Sequence, residues 1–221
     1  MNNKKICFII CVNNDKYYDE MILYLQRLLL PDFIEAEVVV IKDAISMAAG
    51  YNEGMKKSNA KYKIYMHQDC FLLKKDSVKI ILELFQKDPE IGLVGLVGCE
   101  KIPPSGIWWK AKNKMGRVYH ADVPENIYQS IYGDFEEDKI EVQALDGFFL
   151  ATQYDIVWRD DLFCGWHFYD ISQCFEFQRH GYKVVIPKQI DAWVLHASGD
   201  KFLGPEYNKF RKIFLDEYIR C

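Results

Sequence analysis

Residues 46–69 have the sequence SMAAGYNEGMKKSNAKYKIYMHQD, in which a helical segment precedes a buried strand. Ser46 can cap the helix by accepting a hydrogen bond from a backbone N–H of the first turn. The run Tyr62–Met66 predicts a strand buried on both faces, and it ends at His67-Gln68-Asp69. A helix followed by such a strand is typical of a sheet in which strands and helices alternate along the chain.

The same alternation extends on both sides of this stretch. We predict strands at Ile6–Val12, Glu37–Ile41 and Ile91–Val97, with helices at Tyr17–Leu30 and Val78–Gln86. We therefore expect an α/β fold with a Rossmann-like, mainly parallel sheet flanked by helices, arranged as a single domain with two lobes. Residues 1–100 form its first half.

Residues 101–141 break this pattern with proline, glycine and lysine among scattered tryptophans and tyrosines. We predict an irregular insertion, which is either a substrate lid or a flexible surface segment. Regular structure returns in residues 142–221, the second half. Its predicted elements are a regular segment at Val142–Thr152, a helix at Asp170–His180 ended by Gly181, strands at Tyr182–Pro187 and Ala192–His196, and a helix at Glu206–Arg220.

The composition excludes some classes of protein. A formal net charge of -4 argues against nucleic acid as a partner. It is compatible with an anionic nucleotide, because a metal ion and backbone N–H groups can neutralise a diphosphate. The seven cysteines form no Cys-x-x-Cys pair, which predicts reduced thiols in a cytoplasmic protein and no zinc site. Without an apolar run of ~20 residues we expect a soluble chain that can still associate peripherally with a membrane.

Polar residues at the strand ends are the first candidates for a binding site. Ligands of open α/β sheets bind at the carboxyl ends of the strands, which here carry Asn13-Asn14, Lys42-Asp43 and His67-Gln68-Asp69. Asp69 is an oxygen ligand suited to Mg²⁺ or Mn²⁺, and His67 favours Mn²⁺. A polar turn without a metal is the alternative. The small residues around Gly50 and Asn52 fit helix packing better than ligand binding.

The second half contributes three further candidates. Asp170 and Gln173 have the spacing of a capping box, and the helix dipole there would lower the pKa of Asp170 and keep it ionised, as a general base requires. Trp166 can stack on a sugar ring or fill the core. His196 ends a predicted strand, where a lone histidine is more often structural than a ligand.

Taken together, these segments resemble the inverting GT-A glycosyltransferases of the family-two group, and more closely a bacterial glycosyltransferase-like branch. The resemblance extends from Lys5 to His196. Besides residues 46–69, the matching segments are FIICVNN at 8–14, IGLVGLVG at 91–98, LDGFFLATQYDIVWRDDLF at 145–163, GWHFYDISQ at 165–173 and GYKVVIPKQ at 181–189.

The resemblance implies that residues 1–100 are the nucleotide-binding half, and it implies roles for several of their residues. Val12 and Asn13 would lie at the nucleotide base, with Asp43 as a base-binding acid. Asn52 and Gln68 would lie beside the nucleotide. His67-Gln68-Asp69 stands where the family has its Asp-x-Asp metal motif, so that Asp69 and His67 would hold the metal.

The resemblance also implies that residues 142–221 are the acceptor and catalytic half, and it implies roles for several of their residues. His196 would complete the binding of the metal, Mn²⁺ or Mg²⁺. Asp146 and Gly147 would close over the donor and acceptor sugars, near Trp166. Tyr169-Asp170 replaces the usual Glu-Asp pair, which makes Asp170 the catalytic base and gives Tyr169 a place beside the acceptor.

The implied activity is metal-dependent transfer of a sugar, with inversion, from a nucleotide sugar to an acceptor hydroxyl. UDP is the implied nucleotide, and a saccharide or lipid-linked acceptor in surface polysaccharide synthesis is the implied context. The altered metal and Glu-Asp motifs favour a rival, a non-catalytic protein that binds nucleotide sugars or acts as a scaffold. A nucleotidyltransferase fits less well, because the sequence has no phosphate loop rich in glycine and lysine.

Overall fold

The computed structural model describes residues 1–123, 126–199 and 204–220 and has an α/β architecture, as predicted. The helices are α1 Asp15–Leu25, α2 Met47–Lys57, α3 Ser77–Lys87, α4 Tyr169–Arg179 and α5 Pro205–Tyr218, with a short 3₁₀ helix at Trp108–Lys110. The strands are β1 Asn2–Val12, β2 Glu35–Lys42, β3 Ala60–His67, β4 Cys70–Leu72, β5 Ile91–Gly95, β6 Val97–Cys99, β7 Lys114–Val123, β8 Asn126–Gly133, β9 Lys139–Glu141, β10 Ala144–Leu145, β11 Phe149–Thr152, β12 Lys183–Pro187 and β13 Val194–His196.

The larger sheet has the strand order β2-β1-β3-β11-β5-β12-β9. β1 is parallel to both β2 and β3, and β12 is parallel to β5. β11 runs antiparallel to β3 and β5, and β9 runs antiparallel to β12, so five of the seven strands point in one direction and the sheet is mainly parallel, as predicted.

Helix α2 lies close against β1 because its contact residues are glycines. A Cβ added to Gly50 would lie 2.5 Å from Cys11 Sγ, and one added to Gly54 would overlap Ile9 Cγ2. Ser46 caps this helix as predicted, accepting a hydrogen bond from Ala49 N at 3.2 Å. The small residues of this stretch therefore pack a helix on the sheet.

The second sheet corrects the prediction of an irregular insertion at 101–141. Its strand order is β10-β6-β7-β13-β4, with β8 paired antiparallel to β7, so the segment contains a long strand pair as well as β9. β-branched and aromatic residues such as Val118, Tyr119 and Ile131 favour strands, and this signal was outweighed by the neighbouring prolines and glycines. β7 is also parallel to β13, which carries His196.

The two sheets bring the candidate residues to one edge of the molecule. In the pairing of β1 with β3, Cys11 is opposite His67, so both strands end at the same level. His196 on β13 is opposite Cys70 on β4, the residue that follows Asp69. None of the helices in the described ranges is long and apolar enough to cross a membrane.

Replacing Gly54 with alanine tests the close packing of α2. Overpacking a core costs about 1–3 kcal/mol, whereas alanine gains up to about 1 kcal/mol over glycine in helix propensity. We expect G54A to lower the free energy of unfolding by about 1–2 kcal/mol, measured by urea unfolding. E53A, at the neighbouring exposed position, should change it by less than about 0.5 kcal/mol. A G54A protein as stable as the unchanged protein would contradict this packing.

Candidate active site

Two cavities meet at the carboxyl ends of β1, β2 and β3. The strand-end cavity has a volume of about 370 Å³, and Val12, Asn13, Asp43 and Gln68 are among its lining residues. The aromatic cavity has a volume of about 360 Å³ and is lined by Asp146, Tyr169, Asp170 and His196 together with Trp108, Trp109, His167 and Tyr207. The residues that line both cavities are His67, Asp69 and Trp166. Most of the predicted site residues therefore surround one continuous cleft.

Gln68 joins the ends of two strands in the strand-end cavity. Its Oε1 accepts hydrogen bonds from Asn13 N at 3.0 Å and Asn14 N at 2.9 Å, and its Nε2 donates to Asn13 Oδ1 at 2.5 Å. Asp43 forms part of the wall with a left-handed backbone, φ 59°, which Asp tolerates better than most residues. The polar wall of this cavity is thus held by the strands themselves.

Asn52 has a structural position and does not line either cavity. It is 4% exposed, its Nδ2 donates to Trp158 O at 2.9 Å, and its Oδ1 accepts from Trp158 N at 2.9 Å. Both ends of the amide are therefore engaged by one backbone segment. The structure therefore does not bring Asn52 together with the other predicted site residues, because the interior of the protein already satisfies its polar atoms.

The cluster that could hold a metal consists of His67, Asp69, Cys70 and His196, whose ligand atoms all lie within 4.8 Å of one another. His67 Nδ1 lies 3.4 Å from His196 Nε2, and Asp69 Oδ1 lies 3.5 Å from His196 Nε2. Three of the four residues were predicted from the sequence. Cys70 was missed because it lies inside a short strand with no second cysteine nearby in the sequence.

The chemistry of this cluster fits a divalent transition metal. Burial opposes the ionisation of Asp69, but the hydrogen bond with His196 and the charges of His196 and His67 outweigh it and lower the pKa of Asp69 to about 2. The carboxylate is therefore ionised at neutral pH and available as a ligand. Imidazole nitrogens beside a carboxylate favour Mn²⁺ over Mg²⁺, which prefers oxygen donors and water.

Aromatic side chains form one wall of the aromatic cavity. The rings of Trp109 and Tyr207 are 5.7 Å apart, and Trp108 packs perpendicular to Trp109 at 6.0 Å. Trp166 stands between the two cavities with 43% of its surface exposed, so it does not fill the core. His167 and Tyr207 also line this cavity and were not predicted from the sequence. Tyr207 gives no local signal because it comes from the distant helix α5.

Asp170 lies inside the first turn of α4 rather than at its cap. The capping box predicted with Gln173 is wrong, because the helix begins at Tyr169 with Phe168 at the cap position, φ 64°. Asp170 Oδ2 accepts a hydrogen bond from Gly147 N at 3.0 Å, while Gln173 Nε2 donates to Ile156 O at 2.8 Å. Asp170 is thereby joined to the Asp146-Gly147 segment.

The environment of Asp170 also reverses the predicted direction of its pKa. Burial and the negative charge of Asp146 raise the pKa of Asp170 to about 7, although backbone N–H groups at Gly147, Asp170 and Ile171 act in the opposite direction. The helix-dipole argument was therefore outweighed by desolvation and by a second carboxylate. A carboxyl group with a pKa near 7 can take up and release a proton at neutral pH.

Tyr169 and Gly147 complete the contact between the metal cluster and α4. The hydroxyl of Tyr169 lies 2.5 Å from His67 Nε2. A Cβ added to Gly147 would overlap this hydroxyl and lie 2.7 Å from Asp170 Cβ. Glycine is needed at position 147 because the first turn of α4 approaches the backbone so closely.

The chain matches the glycosyltransferase-like family over residues 7–218. The protein belongs to this family. No curated protein sequence matches the chain.

Solved structures similar to this chain confirm the GT-A glycosyltransferase fold. One is residues 1–349 of TarS from S. aureus, with a TM-score of 0.58, 13% identity, and coverage of 88% of this chain and 60% of that one. The same TarS segment in complex with UDP-GlcNAc gives a TM-score of 0.53, 11% identity, and coverage of 90% and 60%. The mannosyltransferase PcManGT from Pyrobaculum calidifontis, in complex with GDP-Man and Mn²⁺, gives 0.59, 10% identity, and coverage of 90% and 59%. The chain thus spans about 60% of the TarS 1–349 segment and of PcManGT, and 36% of the longer TarS structure.

Replacing Asp69 with asparagine tests the metal cluster directly. The change removes the one carboxylate of the cluster, and we expect Mn²⁺ affinity to fall by at least about 100-fold, since even outer-shell partners are worth 10–100-fold. Titration followed by the electron paramagnetic resonance (EPR) signal of free Mn²⁺ measures this. D43N is the matched control, because Asp43 lines the strand-end cavity outside the cluster, and it should bind Mn²⁺ normally. Equal Mn²⁺ affinity in D69N and the unchanged protein would rule out this cluster.

Proposed function

We propose that this protein transfers a sugar from a UDP-linked donor to an acceptor hydroxyl, with inversion at the anomeric carbon. The observation that carries the proposal is that the two cavities meet at His67, Asp69 and Trp166. A donor in one cavity and an acceptor in the other would share this boundary, where the two reacting atoms must come together.

The strand-end cavity is the proposed donor site. Asn13, Gln68 and Asp43 would face the nucleoside, and His67, Asp69 and His196 would hold a divalent cation, Mn²⁺ in preference to Mg²⁺. Such a cation neutralises negative charge on the departing diphosphate. Support comes from the structurally similar TarS, solved with UDP and with UDP-GlcNAc, and from PcManGT, solved with GDP-Man and Mn²⁺.

Asp170 is the proposed general base. It lines the aromatic cavity, and a pKa of about 7 allows it to be ionised at neutral pH and to accept a proton. Asp170 would take the proton of the acceptor hydroxyl while that oxygen attacks the anomeric carbon opposite the leaving diphosphate. One bond forms and one breaks on opposite faces of the sugar, so the configuration inverts.

The aromatic cavity is the proposed acceptor site. Trp109, Trp166 and Tyr207 offer flat apolar surfaces of the kind on which the C–H faces of sugar rings pack. This supports a saccharide acceptor, free or lipid-linked, and a role in surface polysaccharide synthesis on the cytoplasmic side of a membrane. A lipid-linked acceptor would require peripheral association of the protein with that membrane.

A binding protein without turnover is the second candidate. The observation that favours it is the hydrogen bond between His67 and Tyr169, which engages both residues that depart from the family pattern. A protein of this kind would bind the nucleotide sugar tightly and transfer it to no acceptor. Calorimetry with a panel of nucleotide sugars, followed by transfer assays with saccharide acceptors, separates the two candidates.

Replacing Asp170 with asparagine tests the proposed base. Asparagine keeps an oxygen that can accept from Gly147 N, so we expect unchanged folding and donor affinity. Transfer should fall by about 10²–10⁴-fold, the usual contribution of a positioned base. In the unchanged protein kcat/KM should rise as the pH passes through about 7 and then level off, because only ionised Asp170 accepts a proton. The residual activity of D170N should lack this rise.

D161N is the matched control for that experiment. Asp161 is bound by Arg159 through two contacts of 2.8 and 2.9 Å and lines neither cavity, so we expect full activity from this variant.

Normal turnover by D170N would show that the base lies elsewhere, and loss of folding would show that Asp170 is structural.

Replacing Trp109 with alanine tests the acceptor site. Removing the ring should raise the KM for a saccharide acceptor by about 5–10-fold, in line with the energy of an aromatic contact, and leave donor affinity unchanged. W109F keeps a flat ring and should recover part of the loss. If W109A weakens donor binding instead, the assignment of the two cavities is reversed.

A further inference from the structure

Tyr169 connects the metal cluster to the helix that carries Asp170. It is the first residue of α4, is 4% exposed, and its hydroxyl lies 2.5 Å from His67 Nε2. Its ring packs against those of Tyr51 and Trp158, with centroids 5.9 and 6.1 Å away. These neighbours and the close backbone of Gly147 leave the ring little room to rotate.

The two nitrogens of the His67 ring face different partners. Nε2 faces the hydroxyl of Tyr169, whereas Nδ1 lies 3.4 Å from His196 Nε2 and 3.9 Å from Asp69 Oδ1. An imidazole that binds a cation through Nδ1 must carry its proton on Nε2. Metal-ligating histidines usually donate that proton to a nearby acceptor, which fixes both the tautomer and the orientation of the ring.

We propose, resting on the metal-dependent function above, that Tyr169 is a positioning residue whose hydroxyl accepts the Nε2–H of His67 and so presents Nδ1 to the cation. The hydroxyl is held by the packing of its ring, so the His67 ring is oriented before the cation arrives. This lowers the entropic cost of binding.

A second consequence follows from the position of Tyr169 next to Asp170. Since the hydroxyl that orients His67 belongs to the first turn of α4, cation binding and the placement of that turn depend on each other. Such coupling is reciprocal: a bound cation steadies the first turn of α4 as much as the turn steadies the cation. Tyr169 would act on the transfer step through these neighbours, without touching the substrate's reacting atoms.

The experiment is a double-mutant cycle on Mn²⁺ affinity, measured by EPR without nucleotide. The four proteins are the unchanged chain, Y169F, H67D and the double variant. Y169F removes only the hydroxyl and should lower Mn²⁺ affinity by about 10–100-fold, as for other outer-shell partners. In H67D the ligand is a carboxylate with no Nε2, so adding Y169F should change the affinity by less than about twofold.

Y51F is the matched control for the loss of a buried hydroxyl. The Tyr51 ring is next to that of Tyr169, and its hydroxyl has no hydrogen-bond partner in the part of the chain that the structure describes. We expect Y51F to bind Mn²⁺ as the unchanged protein does, and thermal unfolding confirms that each variant is folded.

Two results would overturn the positioning role. One is a Y169F protein with unchanged Mn²⁺ affinity, and the other is an equal effect of Y169F in the native and H67D backgrounds, which indicates a general structural disturbance. Either result leaves the proposed function standing if the unchanged protein still binds nucleotide sugar with Mn²⁺. A complete lack of Mn²⁺ binding by the unchanged protein would overturn both.

A measurement on the unchanged protein covers the case in which Y169F does not fold. With Zn²⁺ as a diamagnetic probe, nitrogen-15 NMR of labelled histidines reports which ring nitrogen of His67 carries the proton. Protonated Nε2 is the expected result, and ligation through Nε2 would contradict the role of Tyr169.

Discussion

The parallel pairing of β1 with β3 is the constraint on which the site depends. Because Cys11 is opposite His67, both strands end at one level, and Gln68 can then accept hydrogen bonds from Asn13 N and Asn14 N. The glycines of α2 keep a helix at close distance on β1. The second sheet brings β13 alongside β4, which sets His196 beside the residues that follow β3.

The surroundings of each carboxyl group in the cleft determine its pKa. Burial opposes ionisation at Asp69, but His196 and His67 outweigh it and lower the pKa to about 2. At Asp170 burial and the nearby Asp146 raise the pKa to about 7. Two carboxyl groups whose environments move their pKa values apart are suited to different tasks, one to hold a cation and one to exchange a proton.

Local patterns in the sequence predicted the strands that carry the site. Polar residues directly after buried runs identified Asn13, Asp43 and Asp69, because the ends of parallel strands share one edge of a sheet. The sequence did not predict the β7–β8 pair, the surroundings of Asp170 or the engagement of Asn52 by Trp158. The last two depend on contacts between residues far apart in the chain, and desolvation has no local signature. The β7–β8 pair is local, but the neighbouring prolines and glycines outweigh its strand signal.

The wall that the two cavities share determines which substitutions affect one cavity and which affect both. Only His67, Asp69 and Trp166 border both cavities, among the lining residues that the structure describes, while Asp43 borders one and Trp109 the other. Substitutions at these outer positions alter one cavity without reshaping the other. The shapes of the two cavities, and with them selectivity for the proposed donor and acceptor, can therefore diverge independently over evolutionary time or be engineered separately, while the three bordering residues stay constant.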